Sequence, residues 1–341
     1  MMNHEMTHIV MLDKSTGSER FFRSVFAGKV IAEADNPMSI LYSHLTSPRR
    51  SAPRWYHEGI AVFIETWMAG GIGRAMGSYD EMVFRTLTVD SARIYDPVGL
   101  ESEGINVDFQ VGVNSYLYGA RFMSYLALQY GPESVVKWVS REPGSKSYYS
   151  SQFKNVYGRS LGDVWNEWIA WEREFQAGNL ATIREYPVTA YRDLSDVALG
   201  SMSGAHYYPK TNKLYTAVHY PGEVSHIAAI DVASGEKEKL CDLKGPALYF
   251  VSSLALDTVS GTLFYTADNN SYRDLMALDL ESGASRMLIP NVRAGDLAYS
   301  HTDSTLWGVR HFNGISTLTR FKPPYDEWDQ VYSFPFGRDI Y

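Results

Sequence analysis

The residue pattern of this 341-residue chain changes character near residue 187. Before that point apolar residues recur at helical spacing, and after it short β-rich runs alternate with turns of Gly, Asn, Asp and Ser. A helical stripe and a strand face need different packing partners, so the two patterns indicate separate cores. We therefore predict a multidomain protein with a mainly helical domain over residues 1–180 and an all-β domain over residues 187–341.

Apolar runs in the first part predict four helices, which cover Pro53–Met68, Tyr116–Tyr130, a segment beginning at Pro132, and Leu161–Phe175. Gly131 and Pro132 end the second of these helices, since both residues are typical of helix C-termini. Ser160 is the predicted N-cap of the last helix, and Asp163 lies in its first turn. The tryptophans of that helix recur at helical spacing, which indicates a buried face.

The β-rich part contains an internal repeat of about 42–50 residues, a period found in propeller blades. In the clearest match, Asp231 followed by Ser234-Gly235 aligns with Asp279 followed by Ser282-Gly283. An apolar strand, one Asp and a Ser-Gly turn predict a hairpin within a blade. About three blades fit before Tyr341, so the prediction is a partial β-propeller. A generic β-sandwich is the alternative.

Composition excludes several classes of function. The formal net charge of −8 argues against a nucleic-acid partner, which needs a basic face. No apolar run reaches the roughly 18–20 residues of a membrane span. The single cysteine, Cys241, excludes an internal disulfide framework and a cysteine-built zinc site.

The run HEMTH at residues 4–8 matches the pattern H-E-x-x-H. On a helix His4 and His8 lie on one face a turn apart, so both imidazoles can bind one metal ion. Glu5 projects beside such a metal and could act as a general base. The alternative is an amphipathic helix end with two surface histidines.

A catalytic zinc ion usually has three protein ligands and one open position. The apolar run WYHEGIAVFIE contains Glu58 and Glu65, and carboxylates rarely lie in such surroundings without a partner. Glu58 is our predicted third ligand, while His57 and Glu65 remain alternatives. Glu58 could instead cap the start of the helix or form a salt bridge there.

HEMTH followed by P-x-W-x-x-E-G-x-A-x-x-x-x-E resembles the gluzincin zinc metallopeptidases, the clan that includes thermolysin-like enzymes. Within that clan the chain is most similar to bacterial proteins that join a peptidase domain to a TolB-like or WD40-like propeller. The resemblance implies that residues 1–180 form the gluzincin C-terminal subdomain, with Glu58 as the third zinc ligand. Its Tyr-x-x-Gly element implies that Tyr116 steadies the oxyanion, and Tyr118 is the fallback.

Two departures from the family pattern stand out. Val62 occupies the position of the acidic residue that orients a zinc-bound histidine in thermolysin-like enzymes, so Glu65 is expected to supply that support. The linker between His8 and Glu58 is also longer, and its basic stretch SPRRSAPR at residues 47–54 is predicted to be a solvated loop.

The expected function is therefore Zn²⁺-dependent hydrolysis of a peptide or protein substrate, with Glu5 as general base and then acid. The alternative is a catalytically incomplete zinc-binding protein whose propeller binds a protein partner. The first ligand is only three residues from the chain start, so we expect a fragment that lacks the N-terminal part of the peptidase domain. The resemblance implies a periplasmic, envelope or extracellular location, although these residues contain no signal peptide.

Overall fold

The protein divides into two compact units, Met1–Thr189 and Ala190–Tyr341, close to the predicted change of pattern at residue 187. A computed structural model describes residues 2–68, 75, 77–104, 112–195, 199–220, 222–243, 253–268 and 272–338. In those residues no helix has the length and apolar character needed to cross a membrane.

The first unit is helical. Its elements in chain order are α1 (Met2–Asp13), α2 (Gly17–Val25), α3 (Pro37–Thr46), α4 (Arg54–Met68), α5 (Ser78–Val89), the short α6 (Pro97–Gly99), a π-helical turn (Leu100–Gly104), α7 (Val113–Tyr130), α8 (Pro132–Val139), α9 (Tyr149–Tyr157) and α10 (Leu161–Ile183). The four predicted helices are confirmed as α4, α7, α8 and α10, and α10 continues beyond the predicted end at Phe175. The Ser160 hydroxyl accepts a hydrogen bond from the Asp163 amide at 3.2 Å, which confirms the predicted N-cap.

Aromatic rings fill the core of this unit. The fully buried members include Trp55 on α4, Phe122 on α7, Trp138 on α8, and Trp165 and Trp168 on α10. The Trp55 and Trp165 rings meet edge to face with centroids 4.7 Å apart, a favoured arrangement for aromatic pairs. The tryptophans that recur along α10 thus join three other helices into one core.

Helices α4 and α7 pack backbone to backbone at one point. A Cβ atom on Gly59 would lie 2.6 Å from the backbone of Gly119, and one on Gly119 would lie 2.2 Å from the Trp55 carbonyl oxygen. Only glycine permits so close an approach. The contact brings the turn of α7 that carries Tyr116 against the turn of α4 that carries Glu58.

The stretch at residues 47–54 corrects part of one prediction. It is a loop as far as Pro53, and Arg50 and Ser51 are exposed as expected, but Arg49 is only 2% exposed. Its guanidinium donates hydrogen bonds to the Tyr56 hydroxyl at 2.7 Å and to the Ser147 carbonyl at 2.8 Å, with further bonds to the Lys146 and Trp138 carbonyls. A guanidinium group has five N–H donors, and all of them can form hydrogen bonds inside a core when carbonyl groups surround it. A sequence pattern does not reveal those distant carbonyls.

In its described residues the second unit contains three antiparallel sheets that follow one another along the chain. The first contains β1 (Ser201–Met202), β2 (His206–Tyr208), β3 (Lys213–His219), β4 (His226–Asp231) and β5 (Lys237–Asp242). The second contains β6 (Leu254–Asp257), β7 (Thr262–Asp268), β8 (Arg273–Asp279) and β9 (Ser285–Ile289), and the third contains β10 (Ala294–Ser300), β11 (Thr305–Phe312), β12 (Ile315–Phe321) and β13 (Asp329–Ser333). The first sheet has five strands because β1 and β2 pair with different parts of β3 and together take the place of one outer strand. The other two sheets are four-stranded meanders.

Consecutive sheets pack on each other in a propeller-like arrangement. One apolar cluster joins Tyr215 and Ile227 of the first sheet to Leu263 of the second. Another joins Phe264 of the second sheet to Leu306 of the third. Leu263 and Phe264 are consecutive residues of β7, so their side chains point to opposite faces of the strand. One packs against the first sheet and the other against the third. Serial stacking of small meanders is the arrangement of propeller blades, whereas a sandwich packs two sheets.

The repeated Asp and Ser-Gly residues form the predicted turns. The Asp231 carboxylate accepts a hydrogen bond from the Ser234 hydroxyl at 3.1 Å, and Asp279 accepts one from Ser282 at 2.7 Å. A third copy, missed in the sequence, ends β6, where Asp257 accepts a hydrogen bond from Ser260 at 2.6 Å. The glycine that closes each turn has a φ between +71° and +76°, a conformation that glycine adopts without strain, and these residues are Gly235, Gly261 and Gly283.

Candidate metal centre

Three predicted ligands from two helices meet at one point of the helical unit. The His4 Nε2 atom lies 3.2 Å from Glu58 Oε2 and 3.2 Å from His8 Nε2. The His8 Nε2 atom lies 3.3 Å from the same Glu58 oxygen, which closes a nearly equilateral triangle. Within the described ranges this is the one trio of histidine, cysteine or acidic residues whose ligand atoms converge in this way.

The size of that triangle matches a tetrahedral zinc site. Zinc–nitrogen and zinc–oxygen bonds of about 2.0–2.1 Å place the ligand atoms of a tetrahedron about 3.3–3.4 Å apart. The observed sides of 3.2–3.3 Å agree with that spacing. Two imidazoles and a carboxylate are also a donor set that zinc accepts, so the residues fit the ion.

The site depends on the residue spacing within α1 and on the packing of α1 against α4. The i, i+4 spacing puts His4 and His8 on one face of α1, and their rings meet edge to face with centroids 4.9 Å apart. Helix α1 packs along α4, where Glu58 lies in the first turns. All three side chains are largely shielded yet reachable from solvent, with 11% of His4, 22% of His8 and 15% of Glu58 exposed.

The electrostatics keep the Glu58 side chain anionic. Burial alone would raise its pKa, but the hydrogen bond and charge of His8, followed by hydrogen bonds from His4 and Tyr116, lower it to about 2. Glu58 is therefore a carboxylate throughout the neutral range. An anionic oxygen ligand offsets part of the charge of a divalent cation.

The two alternative ligands lie outside the triangle. Glu65 Oε2 lies 3.5 Å from His4 Nδ1, the ring nitrogen that faces away from Glu58. Glu65 thus occupies the position predicted for the residue that orients a ligand histidine, while Val62 is buried. The His57 Nε2 atom is buried without a hydrogen-bond partner in the described part of the chain. Burial lowers the His57 pKa to about 4, so its imidazole is neutral.

The two candidate tyrosines have different surroundings. The Tyr116 ring stacks on the His4 ring with centroids 6.0 Å apart and an angle of 19°. Burial raises the pKa of the Tyr116 hydroxyl and keeps it protonated. Tyr118 instead lies in the aromatic core against Phe84 and Trp168. The structure therefore brings Tyr116 to the ligands and assigns a packing role to Tyr118.

One residue at the site was missed in the sequence. Arg54 Nε lies 3.6 Å from Glu58 Oε1, the carboxylate oxygen outside the triangle, and its guanidinium carbon lies 5.6 Å from the centre of the Tyr116 ring. Gly112 leaves room for it, since a Cβ there would lie 2.7 Å from an Arg54 nitrogen. The i, i+4 spacing of Arg54 and Glu58 was the available signal.

Glu5 differs from the three ligands in its surroundings. Its side chain is exposed and forms no hydrogen bond or ion pair with the residues that the structure describes. Its position next to His4 on α1 is that of the second residue of H-E-x-x-H. The carboxylate is thus available to an incoming molecule.

Comparison with known proteins gives partial structural likenesses. No family model matches the chain, and no curated protein matches it. Similar solved structures include TolB from Acinetobacter baumannii (12% identity, 38% of this chain, 32% of that chain, TM-score 0.33) and the β-propeller domain of the Trilobed protease from Pyrococcus furiosus (11% identity, 39% and 42%, TM-score 0.30). A puromycin-hydrolyzing peptidase of Mycobacterium tuberculosis is similar at 16% identity over 38% of this chain and 20% of that chain, with a TM-score of 0.30. This chain spans less than half the length of each of these proteins, and likenesses at such TM-scores assign no function.

Proposed function

We propose that the helical unit is the zinc site of a metallopeptidase of the gluzincin type and that it hydrolyses peptide bonds. The observation that carries this proposal is the triangle of His4 Nε2, His8 Nε2 and Glu58 Oε2, with sides of 3.2–3.3 Å. It combines the ligand types, the spacing and the open side that a hydrolytic zinc site needs. Exposed Glu5, which follows His4 on α1, supplies the remaining group.

A bound zinc ion supplies Lewis acidity toward a carbonyl oxygen and makes water acidic near neutral pH. The Glu5 carboxylate accepts a proton from the attacking water and then delivers it to the leaving amine. Substrate reaches Glu5 from solvent because its side chain is exposed. Glu65 holds the His4 ring through Nδ1, which leaves Nε2 free as a donor to the metal.

Tyr116 and Arg54 act on the charge that develops during hydrolysis. The Tyr116 hydroxyl donates a hydrogen bond to the oxyanion of the tetrahedral intermediate, and its raised pKa keeps that proton in place. The Arg54 guanidinium, close to both Tyr116 and Glu58, limits the movement of these two side chains. Peptide hydrolysis therefore uses groups from α1, α4 and α7 together.

The test separates metal binding from catalysis. Zinc content is measured by atomic emission after dialysis, and cleavage is measured on a mixture of fluorogenic peptides. We expect about one zinc per chain, lost in His4→Gln, and cleavage that Glu5→Gln abolishes while zinc is retained. Full cleavage by Glu5→Gln would contradict the proposed role of Glu5. A wild-type chain that binds no zinc would contradict the site itself.

A second candidate is a catalytically incomplete zinc-binding protein whose propeller-like unit binds a protein partner. The observation that favours it is that the Glu5 side chain forms no hydrogen bond or ion pair with the described residues, since a general base is usually held by its surroundings. Stoichiometric zinc without cleavage of any peptide would support this candidate. In both cases the family resemblance suggests export to the periplasm or the cell envelope.

A further inference from the structure

Five side chains of the propeller-like unit alternate between aromatic rings and guanidinium groups. We call this set the arginine ladder, and its members in spatial order are Tyr272, Arg293, Phe312, Arg310 and Trp328. Their guanidinium carbons lie 3.5–5.4 Å from the centres of the neighbouring rings. Such distances are cation–π contacts, which hold an arginine in a fixed direction.

The ladder crosses from the second sheet of this unit to the third. Tyr272 immediately precedes β8, and Arg293 precedes β10. Arg310 and Phe312 are two residues apart on β11, so their side chains leave the same face of the strand. The Arg293 amide donates a hydrogen bond to the Arg273 carbonyl at 3.1 Å, which ties the two sheets together at this point.

The two central arginines have no acidic partner among the described residues. With the residues that the structure describes, the Arg310 side chain forms one hydrogen bond, from Nε to the Val292 carbonyl at 3.0 Å. Burial, and then the charge of Arg293, lower the pKa of Arg310. Two positive charges thus lie close together, although acidic residues outnumber basic ones in the chain and its net charge is −8. An external anion would relieve their repulsion.

The ladder is also accessible. Tyr272 is 44% exposed and Phe312 is 43% exposed, and Arg293 and Arg310 are partly exposed between them. Arginine beside an exposed aromatic ring is the composition of protein-binding surfaces. The patch therefore combines fixed positive charge with apolar surface that a partner could cover.

We propose that the arginine ladder binds an extended, acidic segment of a protein, with carboxylates on Arg293 and Arg310 and the intervening chain over Phe312. Both guanidinium carbons contact the Phe312 ring, at 4.6 and 5.4 Å from its centre, so they lie within about 10 Å of each other. Side chains two residues apart on an extended peptide leave the same face about 7 Å apart, within reach of both guanidiniums. The ladder thus fits a Glu-x-Glu spacing. This site is independent of the proposed zinc centre.

The probe is a fluorescein-labelled peptide of six Glu-Ser repeats, and its binding to the full chain is followed by fluorescence anisotropy at low ionic strength. We expect saturable binding that weakens as salt is added. The matching Gln-Ser peptide should bind at least tenfold more weakly, because charge-assisted hydrogen bonds are lost. Equal binding of the two peptides, or no binding of the Glu-Ser peptide at millimolar concentration, would overturn the proposal.

Variants locate the binding on the ladder. We expect Arg293→Gln to weaken Glu-Ser binding at least tenfold, whereas Arg286→Gln, an equal charge change on the exposed strand β9, leaves it within twofold. Phe312→Leu should also weaken binding, since it removes the ring between the two cations. Circular dichroism verifies the fold of each variant. Unchanged affinity in both Arg293→Gln and Phe312→Leu would contradict the assignment.

Two further probes test the class of partner. A labelled twelve-residue oligothymidylate represents single-stranded nucleic acid, which also uses arginine and aromatic stacking. A labelled oligogalacturonate presents carboxylates on sugar rings. We expect both to bind more weakly than the Glu-Ser peptide. Tighter binding of either probe would contradict an acidic protein segment as the ligand and would indicate that probe's class of ligand instead.

Discussion

The helical unit and the propeller-like unit treat their charged residues in different ways. The helical unit buries ion pairs such as Arg121 with Glu172, whose carboxylate is fully buried, whereas each described ion pair of the propeller-like unit has at least one exposed member. In the propeller-like unit the matching feature is a surface turn, in which Asp279 accepts hydrogen bonds from the backbone and from Ser282. The buried pair of the helical unit is a single arrangement, whereas the Asp–Ser turn recurs in the propeller-like unit.

This difference has a consequence for function. Buried charges are expensive to desolvate and hold a single geometry only when every partner is in place. The helical unit therefore suits a site that needs atoms at set distances, such as the triangle of His4, His8 and Glu58. Repeated turns tolerate change, so the surface of the propeller-like unit suits recognition. The predictions below test this contrast, beginning with the largest expected effect.

Replacement of Arg121 by Met should destabilise the helical unit most. Among the described residues, Glu172 would keep only its bonds from Trp168 and Gln176, and breaking a buried pair in this way costs about 3–5 kcal/mol. Urea unfolding followed by tryptophan fluorescence measures the loss. The control Arg159→Met breaks an exposed pair with Glu167 and should change stability little. Similar stabilities for the two variants would remove the contrast between buried and surface charge.

Replacement of Gly119 by Ala should separate α4 from α7. The added Cβ would lie 2.2 Å from the Trp55 carbonyl oxygen, and an overpacked contact of this kind costs about 3 kcal/mol. We also expect weaker zinc binding, because Glu58 lies on the displaced helix. The matched control is Gly178→Ala on α10, where nothing lies within 4 Å and stability should stay equal or rise. Unchanged stability in Gly119→Ala would show that the two helices can move apart at little cost in free energy.

Removal of the proposed zinc ion should affect one unit alone. A ligand present at a hundredfold excess over its Kd stabilises the folded state by about 2.7 kcal/mol. Scanning calorimetry with and without a chelator should therefore lower the transition of the helical unit and leave that of the propeller-like unit in place. In His4→Gln the chelator should have no effect. A shift of both transitions would mean that the units do not unfold independently.

Replacement of Asp257 by Ala should have a smaller effect on the propeller-like unit. Asp257 accepts hydrogen bonds from the Val259 amide, the Ser260 hydroxyl and the Tyr299 hydroxyl, and its loss should cost about 1 kcal/mol. The equivalent Asp279→Ala, in a fully exposed turn, should cost less. Denaturant unfolding of both variants ranks them. An equal loss would show that the contact with Tyr299 adds nothing to the repeated turn.

The smallest effect concerns pH. Burial lowers the pKa of His206 on β2 below its ordinary value of 6.5, so the folded unit favours neutral imidazole. As the pH falls below 6.5 the unfolded chain binds this proton before the folded chain does. The free energy of unfolding therefore decreases over that range. His206→Gln should therefore reduce the slope of stability against pH below 6.5. Identical slopes in the two proteins would contradict a lowered pKa.

Much of the fold and part of the site could be predicted from the sequence, because those features depend on neighbouring residues. The helix from Leu161 begins at the predicted cap Ser160, and the i, i+4 spacing of His4 and His8 holds on α1. The turn at Asp279 follows from the residues next to it. In each case the deciding contacts lie within about four positions along the chain.

Other features were decided by the tertiary structure. Glu58 is 54 residues from His4, and its approach to both histidines depends on how α1 packs against α4. Arg49, expected in solvent, is buried because carbonyls about 90 to 100 residues away surround it. The arginine ladder likewise required two sheets to meet. Local pattern determines which elements form, whereas the free energy of packing determines which distant side chains meet.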